Sequence, residues 1–130
     1  MATILLVEND PLQAFARVSS LEKRFHDVRR VADAAEALCL IEQPQFAGNL
    51  GLVICCLNVP GVGGPAFVAE LRDRLPFVPV LVLGGTREPS ADYAVDGVQF
   101  LSNPYATEQM LAAARQLLDQ FHHRTPLTAA

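Results

Sequence analysis

The sequence predicts an α/β fold, a five-stranded parallel sheet in the order 2-1-3-4-5 with helices on both faces. Three observations carry this. Residues 3–7 (TILLV), 52–57 (LVICCL) and 79–83 (PVLVL) are short, almost wholly apolar runs rich in β-branched residues, as suits strands buried on both sides. Each strand candidate is followed by turn-forming residues and then a helical segment, so the chain alternates βα five times; right-handed crossovers turn such a chain into a parallel sheet. Its 130 residues, 51% of them hydrophobic, suit one compact domain with a short doubly wound sheet; two strand orders are plausible for it, and 2-1-3-4-5 is the one a chain of this length usually takes. In that order the ends of the first and third strands meet at a crevice. Glu8, Asn9 and Cys56 are therefore expected to share one pocket, with Gly84 and Asn103 beside them.

The elements follow in order. After the first strand, Asp10 and Pro11 read as an N-cap with proline at the first helical position, starting a helix through about residue 24. Leu12, Phe15, Val18, Leu21 and Phe25 are expected to form its buried stripe. Residues 27–31 are a strand whose Arg29 and Arg30 place it near a sheet edge. Asp33 and Glu36 have the spacing of a capping box, for a helix that buries Ala37, Leu38 and Ile41 and stops near Pro44; residues 46–51 read as loop. The central strand ends at Cys56 and is followed by a turn-rich loop with Asn58, Pro60, Gly61, Gly63 and Gly64. The next helix starts at Pro65, buries Phe67, Val68 and Leu71, and ends before Pro76. The fourth strand ends at Gly84. Residues 89–96 give only a short, irregular fourth helix, bounded by Asp96 and Gly97. Residues 97–101 are the fifth strand. Thr107 caps a long amphipathic helix with Met110, Leu111, Ala114, Leu117, Leu118 and Phe121 on one face. The domain is expected to span residues 1–124, with a flexible tail at 125–130.

Composition narrows the function classes. The net charge is −4, and a single lysine, Lys23, with nine scattered arginines offers no basic patch, so nucleic acid is not an expected partner. No run approaches the roughly 18 apolar residues of a membrane span, and the N-terminus lacks a basic n-region and a cleavage site; the reading is no membrane and a cytoplasmic location. Cys39, Cys55 and Cys56 have no metal-like spacing and suit a reducing compartment. The glycines match neither a P-loop nor a dinucleotide fingerprint, and His122 and His123 diverge around a helix end. No cofactor, metal or catalytic residue is expected from these patterns.

Through ILLVEND, LVICCLNVPGVGG and FLSNPY, the chain resembles the receiver domain of bacterial response regulators, the CheY-like family, over nearly its whole length. The carrying points are Asn58, Pro60 and Gly64 after an apolar strand, and Pro104 followed by an aromatic, Tyr105. The resemblance implies a flavodoxin-like three-layer sandwich. It also implies a site in which two acids after the first strand and an aspartate at the end of the third bind Mg²⁺. The aspartate takes a phosphoryl group from a histidine kinase, while a hydroxyl residue and a lysine hold its oxygens. Here Glu8 matches the first acid and Asn9 stands at the second. Cys56 stands at the aspartate, Gly84 at the hydroxyl residue and Asn103 at the lysine, with Tyr105 as the switch aromatic.

The resemblance therefore implies a stand-alone, degenerate pseudo-receiver in a two-component phosphorelay: not an enzyme, but a phosphorylation-independent interaction module. One carboxylate, an amide and a thiol make a poor Mg²⁺ site. An unneutralised like charge about 4 Å from a phosphoryl group costs on the order of 4 kcal/mol at an effective dielectric of 20. The expected partner is a histidine kinase or another regulator, or a second copy docked through the face of the fourth helix, fifth strand and fifth helix. The Gly84 to Asn103 interval, which contributes the fourth helix and fifth strand to that face, is shorter than is usual in the family. Two other readings stay open: a thiol-based redox sensor at Cys56, and a small-ligand binder in the emptied pocket. Against the first, the near neighbour Glu8 raises a thiol pKa, and a small residue filling the slot is the plainer reading of Cys56.

Overall fold

The computed structural model describes residues 2–56, 65–84, 97–102 and 105–129, with side chains at 2–56, 66–84, 97–102 and 105–120. Five strands, β1 (Thr3–Val7), β2 (Asp27–Val31), β3 (Leu50–Cys56), β4 (Val80–Leu83) and β5 (Val98–Leu101), form one parallel sheet in the order β2-β1-β3-β4-β5. Of the two plausible orders, this is the one expected for a chain of this length. The three inner strands are buried at every position, which is why they read as unbroken apolar runs. At the edge, Arg29 and Arg30 of β2 reach solvent, and the Thr3 hydroxyl donates to Asp27 at 2.6 Å to tie β1 to it.

Five helices lie among the described residues: α1 (Pro11–Glu22), α2 (Ala34–Ile41), α3 (Pro44–Asn49), α4 (Pro65–Arg74) and α5 (Thr107–Ala129). α1 and α5 share one face of the sheet. The Arg115 guanidinium stacks 4.9 Å from the ring centre of Phe25, just past α1, and Arg24 pairs with Glu108 at 3.0 Å. On the other face Arg74 of α4 reaches Glu42, at the end of α2, at 3.1 Å. Two of the three predicted caps form: Asp10 Oδ1 accepts from the Leu12 amide at 3.0 Å, and Asp33 Oδ1 accepts from the Glu36 amide at 2.8 Å, whereas Thr107 is the first residue inside α5 and Ala106 precedes it, its amide donating to Gln109 Oε1 at 2.7 Å. Glu36 Oε1 closes the box on the Ala32 amide at 2.8 Å, one residue before the cap's own N–H.

Three features differ from the sequence reading. The buried stripe of α1 is Ala14 and Leu21, continued by Phe25, while Leu12 and Phe15 are 81% and 75% exposed. Residues 44–49, read mainly as loop, form the short helix α3; a proline that ends one helix also suits the first position of the next, and Asn49 Nδ2 donates back to the Gln45 carbonyl at 3.0 Å. The last helix continues to Ala129, so the backbone is helical where a loose tail was expected. The short fourth helix expected at residues 89–96 lies outside the described residues.

Candidate functional site

The site is built where β1 and β3 end. Beyond Val7 the backbone makes one more strand-like bond, from the Glu8 amide to the Val31 carbonyl at 3.0 Å, and then turns out toward the Asp10 cap. Arg30 of β2 fixes that turn, donating to the Glu8 carbonyl at 2.9 Å and to the Asn9 carbonyl at 3.1 Å. The Glu8 side chain is thereby held inward and is only 3% exposed. A carboxylate this buried needs partners for both oxygens. Oε2 accepts from the Asp10 amide at 3.1 Å, and Oε1 accepts from Arg17 Nη1 at 3.1 Å.

Arg17 is the residue that sequence reasoning missed. It enters from the second turn of α1, 18% exposed, and its guanidinium serves three acceptors. Nη1 also donates to Gln13 Oε1 at 2.8 Å, and Nη2 donates to the Tyr105 hydroxyl at 2.6 Å. One planar cation thus joins the end of β1, the helix that follows it and the segment leading into α5, and it spans 88 residues of sequence in the last of these contacts. Burial works against its charge, but the Tyr105 hydrogen bond and the nearby Cys56, Tyr105 and Glu8 outweigh that, so its pKa is raised and the charge is locked in. Its position relative to Leu21, four residues along the helix, is the signal that places it inward.

Cys56 closes β3 and is 2% exposed. Burial pushes its thiol pKa up, the hydrogen-bonding contact with Glu8 pushes it further, and the Arg17 charge opposes without prevailing. The neighbouring Cys55, on the opposite face of the strand, is pushed up to about 12 by burial alone. Both side chains are therefore thiols at neutral pH. A redox sensor needs an accessible thiolate, so this geometry counts against that reading of Cys56.

Of the other predicted site residues, Tyr105 is brought in and Asn9 is not: Asn9 is exposed, and its backbone carbonyl is taken by Arg30. Gly84 follows β4, donates its amide to the Leu101 carbonyl at 3.1 Å and has φ +129°, a conformation that side-chain-bearing residues rarely adopt. Its glycine identity is thus a backbone requirement. Asn58, Pro60, Gly64 and Asn103 lie outside the described residues, as does the loop that contains the first three.

The donor set fits a divalent cation poorly. Mg²⁺ takes anionic oxygens. The buried carboxylate offered here has both oxygens engaged, the second candidate is an exposed amide, and the third is a protonated thiol. A double positive charge about 5 Å from a guanidinium would also be repelled by roughly 7 kcal/mol at an effective dielectric of 20. Among the described residues no three His, Cys, Asp or Glu side chains are grouped so as to hold a metal.

A family model described as "Response regulator receiver domain" matches residues 4–115. The chain is 26% identical over 122 residues to the sensor kinase CckA of Brucella abortus, covering 92% of this chain and 13% of that protein. It is 30% identical over 125 residues to the response regulator protein FleR of Pseudomonas aeruginosa, covering 92% and 25% respectively. Among solved structures, it resembles the signal receiver domain of an HD domain-containing protein from Pseudomonas fluorescens, with a TM-score of 0.80 and 25% identity over 95% of this chain and 90% of that one. The chain spans a quarter or less of these two curated relatives.

Proposed function

Because this chain belongs to the response regulator receiver domain family, we propose that it serves two-component signalling as a pseudo-receiver, an interaction module that works without being phosphorylated. Receiver domains act by contact with histidine kinases and other regulators, and the five-stranded parallel sheet of the family is formed here. The observation that carries the reading is Cys56 at the end of β3, a buried thiol beside an already neutralised Glu8. A phosphoryl group entering there would meet no oxygen nucleophile on β3, and Arg17 would have to leave Glu8 in order to receive it. The module is then fixed in one state, and its partner, a kinase, another regulator or a second copy of this chain, recognises the surface around β5 and α5.

The test is incubation with acetyl phosphate and Mg²⁺ followed by intact-mass spectrometry. The expected spectrum is unchanged, whereas a labile gain of one phosphoryl group overturns the reading. No helix of the described residues is long and apolar enough to cross a membrane.

A further inference from the structure

The structure assigns Arg17 as the resident cation of this pocket: its guanidinium takes the place that a divalent metal would need at Glu8, and so closes the site to Mg²⁺ while holding the Tyr105 hydroxyl. The geometry gives each part of this. Glu8 is the buried carboxylate at the crevice, and the oxygen not used by the Asp10 amide is bonded to Arg17 Nη1 at 3.1 Å. The same guanidinium is anchored by Gln13 at 2.8 Å and by Tyr105 at 2.6 Å, so it is oriented from α1 and from the segment before α5 together. A metal competing for that oxygen of Glu8 would have to displace Nη1 from it, against a guanidinium held by two further hydrogen bonds, and share the crevice with a permanent positive charge. Lysine could neutralise Glu8 as a point charge, whereas the planar fork of arginine presents Nη1 to Glu8 and Gln13 and Nη2 to Tyr105.

This goes beyond the pseudo-receiver reading, since it states what fills the crevice and which residue keeps metal out. It is tested by Mn²⁺ titration of ¹⁵N-labelled protein, reading paramagnetic broadening of the amides of residues 8–10 and 55–56, in the wild type, Arg17→Gln and Arg17→Lys. The wild type should show no site-specific broadening there. Arg17→Gln, which leaves Glu8 without its cation, should bind Mn²⁺ at least about tenfold more tightly, and Arg17→Lys should resemble the wild type at Glu8. Equal broadening in the wild type and Arg17→Gln overturns the inference, and so does a folded Arg17→Gln that stays unbroadened.

Should Arg17→Gln fail to fold, the wild type alone decides. Its Arg17 Nε–H resonance should be unmoved by Mg²⁺, and a shift on Mg²⁺ addition sinks the inference. These readouts concern metal only, so they can fail whether or not acetyl phosphate labels the protein.

Discussion

At the scale of single residues, the pocket depends on one charge answering another in a place that water barely reaches. Removing a partner from a buried pair leaves the other charge desolvated and unpaired, which costs more than the pair itself is worth. Arg17→Ala should therefore lower the unfolding free energy by roughly 3 kcal/mol, at the low end of the range for buried pairs because Arg17 is 18% exposed. Glu8→Ala/Arg17→Ala should recover part of that loss, with a coupling energy of about 1–3 kcal/mol in a urea-denaturation cycle. Additive losses would mean that the pair is not coupled. Glu8 was legible as a pocket residue because it follows an unbroken apolar strand in a parallel sheet. Arg17 was not, because a reading that counts apolar residues along a helix passes over a cation on the same face. Gly84 was legible only as the loss of a hydroxyl residue; its φ of +129° supplies the backbone reason for that loss.

At the scale of elements, α1 shows how a correct period can still give the wrong stripe. At about 100° per residue, Phe25, Val18 and Ala14 fall within about 60° of Leu21, and Arg17 lies about 40° to its other side, whereas Phe15 is about 120° away and Leu12 about 180°. Three-or-four spacing taken stepwise toward the N-terminus drifts around the cylinder, so Leu12 and Phe15 joined the stripe on hydrophobicity and left it on geometry. The consequence is measurable. Leu12→Ser and Phe15→Ser should each change stability by no more than about 0.5 kcal/mol, as exposed positions do, while Leu21→Ala should cost about 2–5 kcal/mol. A large loss at Phe15 would contradict this helix orientation. The strands were legible because burial on both faces leaves apolar runs of strand length. α3 was less so: Pro44 read locally as a breaker, although proline at a first helical position is compatible with a helix.

At the scale of the whole molecule, the central strand carries two neighbouring thiols that face opposite layers of the sandwich, and their ionisation is linked to global unfolding. An unfolded cysteine titrates near pH 8.5. In the fold, burial pushes Cys55 up to about 12, and burial with Glu8 raises Cys56 as well. A group whose pKa is raised by folding stabilises the native state fully below its unfolded pKa, and that contribution is lost as pH rises toward the folded value. Stability should therefore decline from about pH 8.5 upward, by as much as about 1.4 kcal/mol per pH unit for each thiol. With two thiols, a rise of two units approaches 5 kcal/mol, comparable with the whole stability of many domains. The test compares urea midpoints from about pH 7 to about pH 10.5 in the wild type and in Cys55→Ala/Cys56→Ala. The variant should start less stable, because two buried side chains lose packing, yet decline more gently. Lys23, the tyrosines and the arginines are common to both chains, so their titration cancels in the difference. Parallel curves would mean that the two thiols ionise in the fold as easily as in the unfolded chain, and that the end of β3 is open to water.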